Sequence, residues 1–294
     1  MEDSAARIKP VIDLNVTDMF GATDRSGIQV PDIVGNMRVD QAWGSAQIMG
    51  GLAKVRGNYY SADPANLCTG NNTTCGHPGD EWGWGVGAGL TLKMPWDAKD
   101  TLSGVIAYAK GATGFVSHAN GQNFIHKQGI ANGALIDAVY ANPNAIPGYD
   151  GSLQLTEAWG GTIAFEHYWT PSLRTSWVFG YMKVEYDDGR ALLTSNIGGQ
   201  CAAANVRYAA GTITNCDPDY SLMRIASRTM WNPVANLDIG VEVAYTKVDT
   251  AFGGTATLNA SPAGYSAGLA PGSYTIENQD YWSAAIRVQR SFWP

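Results

Sequence analysis

The sequence predicts an all-β fold, an antiparallel transmembrane β-barrel with about ten strands in this chain. Three observations carry that prediction: long segments alternating apolar and polar residues, connections alternating short and long, and aromatic residues gathered where strands end. The composition agrees. Of 294 residues 15% are charged and 35 are glycine, against about 25% and ~7% in ordinary soluble domains. No apolar run is long enough for a membrane-spanning helix. A net charge of −7 argues against a nucleic-acid partner, because neutralising phosphates takes a basic face.

The predicted strands, in order, are 7–14, 31–40, 43–59, 81–94, 101–110, 155–168, 172–186, 221–231, 236–248 and 280–292. The alternation is clearest in four. Trp82, Trp84, Val86, Leu90 and Leu92 stand opposite glycines, Thr91 and Lys93. Leu173, Trp177, Phe179 and Tyr181 oppose Arg174, Ser176 and Gly180. Leu237, Ile239, Val241, Val243 and Tyr245 oppose Asp238, Gly240, Glu242 and Thr246. Trp282, Ala284, Ile286, Val288 and Phe292 oppose Ser283, Arg287, Gln289 and Ser291. A period of two with one apolar face is a strand signature. Most segments exceed the five or six residues of globular strands and suit a tilted bilayer crossing.

The short connections are 40–42, 95–99, 169–171 and 232–235. The long ones are 15–30, 60–80, 111–154, 187–220 and 249–279. Strict alternation makes one end of the sheet trim and the other elaborate, as in outer-membrane barrels. An even count of ten puts both chain ends on the short-turn side. The long outer loop 111–154 exceeds a plain connector. It leaves a short helix over 123–140 or an irregular loop open, and is expected to cover the mouth or pack on a neighbouring subunit. The aromatics Trp82, Trp84, Tyr108, Tyr168, Trp169, Tyr186, Trp231, Tyr245, Tyr281, Trp282, Phe292 and Trp293 cluster at strand ends, as at headgroup level. A soluble sandwich explains neither strand length nor loop asymmetry, and an open sheet would leave bare edges in lipid.

On the alternation Arg38, Lys54, Arg56, Arg174, Arg287, Glu166, Asp238 and Glu242 point away from the apolar face. Arg224 and Arg228 share a face of a strand that alternates poorly. These ten are the expected pore-lining residues, because arginines from neighbouring strands set a field across a wet lumen. No catalytic set, cofactor motif or metal-ligand spacing is present. The glycines of 83–89 recur within a strand with no helix after them, so they are no dinucleotide loop; they leave room in the lumen or at a subunit contact. His167, beside Tyr168 and Trp169, is expected at the interface. Asp187, Asp188, Asp217 and Asp219 share one long loop and are expected as solvated loop acids, with divalent-cation binding the alternative. Cys68 with Cys75 and Cys201 with Cys216 form local pairs without metal-site spacing, which points to loop-closing disulfides in an oxidising compartment. The first residues carry no secretory signal as written. Together these imply a truncated start.

Three stretches, PDIVGNMRVDQAWGSAQ at 31–47, WGWGVGAGL at 82–90 and NQDYWS at 278–283 followed by QRSF at 289–292, resemble the alphaproteobacterial general porins. The likeness extends over essentially the whole chain. It implies a 16-stranded, trimeric outer-membrane barrel in outer-membrane lipid, passing small hydrophilic solutes and ions passively, with no enzyme activity and no cofactor. It implies that residues 1–294 are one barrel domain incomplete at its N-terminus, with about six strands and the acidic constriction loop in the missing part. It carries the basic wall onto Arg38, Arg56, Arg174 and Arg287, and less surely onto Arg224 and Arg228. Trp293-Pro294 after Phe292 departs from the aromatic ending of such barrels. Ten strands closed alone would leave a narrow, largely filled lumen that conducts poorly. The competing reading is a secreted or surface β-sheet binding or adhesion protein.

Overall fold

The computed structural model describes residues 9–14, 23–60, 73–117, 121–126, 129–144, 148–195, 210–258 and 272–291. In chain order the strands are β1 (Val11–Asp13), β2 (Ile33–Gln41), β3 (Gly44–Arg56), β4 (Asp80–Lys93), β5 (Thr101–Lys110), β6 (Gly121–His126), β7 (Gly129–Ala134), β8 (Ala138–Tyr140), β9 (Gln154–Leu155), β10 (Glu157–Thr170), β11 (Leu173–Glu185), β12 (Ala210–Asn215), β13 (Tyr220–Trp231), β14 (Leu237–Asp249), β15 (Gly253–Leu258), β16 (Gly272–Ile276) and β17 (Gln279–Arg290). One helical turn, α1, covers Arg190–Thr194.

Nine long strands form one sheet in the order β17-β14-β13-β11-β10-β5-β4-β3-β2, antiparallel at every pairing. Each strand pairs with the next one along the wall, so the sheet is a meander. Its connections alternate as predicted: short at 42–43, 94–100, 171–172 and 232–236, long at 57–79, 111–156, 186–219 and 250–278.

The predicted first strand, 7–14, is a correction. Its residues 11–13 form β1, which pairs in parallel with β8 in a separate small sheet with β9. Val11 and Ile12 are fully buried, whereas a wall strand presents one face to lipid. Over so short a stretch, alternation cannot separate the two cases. Among the described residues the wall therefore has nine strands, an odd number. Its edges β2 and β17 run in the same direction, from the long-loop end to the short-turn end.

The two faces of the wall differ. The outer one carries Ile33, Met37, Val39, Ile48, Leu52, Val86, Leu90, Ile106, Ile163, Ile225, Val241, Val243, Ile286 and Val288, all exposed. Aromatic pairs bound this band at the long-loop end: Trp84–Tyr108, Trp159–Tyr181 and Tyr245–Trp282, with ring centroids 5.2–5.3 Å apart. Phe165, His167, Trp169 and Trp177 cluster at the short-turn end. From Trp159 to Trp169 the strand runs about 33 Å at ~3.3 Å per residue, or about 25 Å of height at a tilt near 40°, matching the apolar band of outer-membrane barrels.

Above the upper girdle the polarity inverts. Val55, Ala109, Ala158, Val184 and Val248 are fully buried on the inner face. Their neighbours on the outer face are charged: Lys54 and Arg56 with Asp80, Lys110 with Glu157, Lys183 with Glu185, and Lys247 with Asp249. The inner face is apolar there because chain packs on it.

Candidate functional site

That chain is the segment after β5. Its glycine partners explain the alternate glycines of β4. Phe115 lies over Gly51 and Gly85, where added Cβ atoms would meet its ring at 2.5 and 2.9 Å, and a Cβ at Gly83 would meet the Gly111 carbonyl oxygen at 2.3 Å. A wall without side chains at these points lets the backbone of 111–115 lie flat on it. Beyond, Ile130 and Ala131 are buried, and Ala134, Leu135, Ile136, Ala138, Val139 and Tyr140 are buried in two clusters shared with β1 and with Met182, Val184 and Tyr220 of the wall. The long loop 111–154 thus includes chain folded against the inner face.

A buried polar network fastens the segment. Asp137 accepts hydrogen bonds from the Thr113 backbone N–H (2.8 Å) and hydroxyl (3.0 Å), and pairs with Arg25 at 2.7 Å. The Arg25 guanidinium also donates to the carbonyls of Lys9 and Lys54. Both partners of the ion pair are nearly fully buried, and burial pushes the Asp137 carboxyl up against the opposing pull of Arg25 and Thr113. Backbone bonds add Gly111 to Thr156, Thr156 to Asp137 and Asp137 to Pro10. None of these contacts is local, so the sequence carried no sign of them.

Between the segment and the wall lies a cavity of about 690 Å³. It is lined by Gln47, Met49, Gly87, Val105, Ala107, Phe115, Val116, Thr162, Gly180, Leu222, Thr246 and Tyr281, and among the described residues Arg224 is the one charged lining residue. Arg224 donates to Glu242 at 3.1 Å and Arg228 pairs with the other oxygen of the same carboxylate at 3.2 Å. Two guanidiniums thus share one carboxylate. Arg174 sits 3.6 Å from Glu166, Arg38 is bidentate on Asp40, Asp238 accepts from Asn232, and Arg287 bonds the neutral Gln289.

Eight of the ten expected pore-lining residues therefore share the inner face: Arg38, Glu166, Arg174, Arg224, Arg228, Asp238, Glu242 and Arg287. Lys54 and Arg56 do not. Lys54 lies over the Trp82 ring at 5.2 Å on the outer face, and both cations pair with Asp80. They stand in the inverted region, where the buried neighbours Ala53 and Val55 face inward.

Asp187, Asp217 and Asp219 close on Arg190, and Asp188 on Lys110. Among the described residues no side-chain cluster could hold a metal and no cysteine is free. Cys68 and Cys201 lie outside the described residues, as do Phe292 and Trp293. His167 stands on the outer face with Nδ1 2.6 Å from Asp100, which also accepts from the Tyr168 N–H and the Trp96 indole.

A family model described as "Porin subfamily" matches residues 8–289. Among solved structures, the outer membrane channel DcaP of Acinetobacter baumannii is similar at 15% identity with a TM-score of 0.49. The match covers 93% of this chain and 56% of that one, so the chain spans a little over half that channel's length. No curated protein matches.

Proposed function

The chain belongs to the porin family, and from that premise we propose that it walls a water-filled outer-membrane channel through which small hydrophilic solutes and ions diffuse passively. The observation that carries this reading is the contrast between the faces of one sheet. The outer band is apolar and bounded by aromatics; the inner face carries charged residues from six of the strands, Arg38, Glu166, Arg174, Arg224, Arg228, Asp238, Glu242 and Arg287 among them, and a cavity of about 690 Å³ beside the inner segment. We assign Arg38, Glu166, Arg174, Arg224, Arg228, Asp238, Glu242 and Arg287 to the water-facing lining. The reading needs no bond-making chemistry and no cofactor.

Lipid cannot satisfy unpaired strand edges. Because β2 and β17 run in the same direction, antiparallel closure takes an odd number of further strands between them. We therefore read the nine strands as part of a larger barrel completed by additional chain. The resemblance to alphaproteobacterial porins supports that reading and an association of three copies. The spacing of the cysteines supports disulfides Cys68–Cys75 and Cys201–Cys216 in the long loops.

Liposome swelling tests the function. Protein isolated from outer membranes of cells carrying the full reading frame should let small sugars in at rates that fall with solute size. Liposomes that stay osmotically tight to the smallest sugars would contradict it.

A further inference from the structure

The cavity between the inner segment and the wall is amphipathic by layer, which free diffusion of hydrophilic solutes does not call for. Thr162, Gly180, Arg224, Thr246 and Tyr281 are successive cross-strand partners from β10 to β17. They stand in one inward row, and all five line the cavity. Two residues nearer the long-loop end, about 7 Å along each strand, Gly160, Met182 and Leu222 make the next inward row. Met49 of β3 and Phe115 and Val116 of the inner segment complete that side of the cavity. The first layer is polar and holds a guanidinium; the second is apolar.

Two details of the polar row make it a seat for an anionic group. Gly180 puts no side chain between Thr162 and Arg224; a Cβ there would stand 3.5 Å from the Thr162 hydroxyl oxygen. The guanidinium therefore keeps an open flank on that side. Its bond to Glu242 leaves from Nη2, and a guanidinium has five N–H donors in a fork that matches a carboxylate. On the other flank Thr246 is buried, and its hydroxyl has no hydrogen-bond partner among the described residues. An unpaired buried hydroxyl is costly, and a carboxylate oxygen seated beside Arg224 gives it an acceptor. The volume of about 690 Å³ is that of a small-molecule site.

We propose that this cavity binds a small amphipathic monoanion, a carboxylate on a compact apolar body, with the carboxylate on Arg224 and Thr246 and the body against Met49, Leu222 and Phe115. The guanidinium selects the charge. The apolar layer selects the body, because a fully hydrophilic solute leaves those side chains in water. Among solutes that cross the channel, such anions are held on the way. The assignment deepens the channel reading and rests on it, because the cavity meets solutes only through a water-filled lumen.

The test is titration calorimetry of detergent-solubilised protein from cells carrying the full reading frame. Benzoate is the probe; acetate lacks its ring and benzamide its charge. One benzoate should bind per chain, and each control about tenfold more weakly. Arg224→Gln should weaken benzoate about tenfold, the scale of a lost hydrogen bond to a charged group, and bring it to the level of benzamide. Met49→Gln should weaken benzoate and leave acetate unchanged. Absence of benzoate binding overturns the proposal. So does acetate or benzamide bound as tightly as benzoate by the unaltered protein, or benzoate bound undiminished by Arg224→Gln. Conductance of the same preparations in planar bilayers reports the channel separately. Conductance without benzoate binding overturns the benzoate site alone, and benzoate binding without conductance overturns the channel alone.

Discussion

Arg224 is where a single side chain should matter most for permeation, because among the described residues it is the one charge lining the cavity beside Phe115. Its carboxylate partner is shared with Arg228, which leaves positive charge in excess and predicts a preference for anions. Arg224→Glu should move the reversal potential in a salt gradient toward cation preference, with the permeability ratio changing severalfold. A reversal potential that does not move would remove Arg224 from the ion path. Asp137 is the corresponding residue for stability. Asp137→Ala strands the buried Arg25 guanidinium, a loss of about 3–5 kcal/mol for broken buried pairs, and should lower the denaturant midpoint sharply. Asp137→Asn keeps an acceptor for Thr113 and should fall between. The sequence showed the first residue and hid the second. Arg224 sits on a strand that alternates poorly, and it is flagged by sharing a face with Arg228. Asp137 acquires its meaning only through Arg25, more than a hundred residues away.

At the scale of elements, the inner segment explains both what the sequence showed and what it obscured. The alternate glycines of β4 were visible and their purpose was open. The structure has Gly83 and Gly85 beneath the segment and Gly87 on the cavity. Phe115→Ala should widen the cavity and raise single-channel conductance. Gly85→Val, which drives a side chain into Phe115, should lift the segment and make the conductance fluctuate; a steady, unaltered current in both would place the segment outside the ion path. The same packing misled the sequence reading at Lys54 and Arg56. Alternation assigns polar residues to water inside and apolar ones to lipid outside, and that rule reverses once buried chain covers the inner wall. The short-turn end makes a separate prediction. Asp100 lies in the turn 94–100, fully buried, and the Tyr168 N–H, then the His167 and Trp96 side chains, hold its carboxyl below the usual carboxylate range. A depressed folded-state value means this stabilisation is present above the unfolded pKa of about 3.9. It is lost as pH falls through the lower folded value. The unfolding temperature of Asp100→Asn should therefore fall below that of the unaltered protein at neutral pH, and the gap should close at strongly acidic pH. A gap that persists there would assign the effect to packing instead.

For the whole molecule, the order of the wall was legible because lipid permits so few arrangements. Every backbone group must be paired within the sheet, a meander satisfies them with short local turns, and alternation then assigns each residue a face. Nine of ten strands followed from that logic. The exception, 7–14, failed because β1 is buried on both sides. The count of nine has its own consequence at the edges. Among the described residues no strand pairs with the outer edge of β2 or of β17, so about half their amides should exchange hydrogen far faster than those of β10 and β11. Uniform protection across all nine strands would mean the sheet closes on itself. The central claim is that one sheet separates water from lipid, and cysteine scanning along β10 in outer membranes tests it most directly. With a membrane-impermeant thiol reagent, Thr162→Cys, Ala164→Cys and Glu166→Cys should label, while Gly161→Cys and Ile163→Cys should not. Labelling without alternation, or none at any of these positions, would contradict a water-filled channel behind this wall.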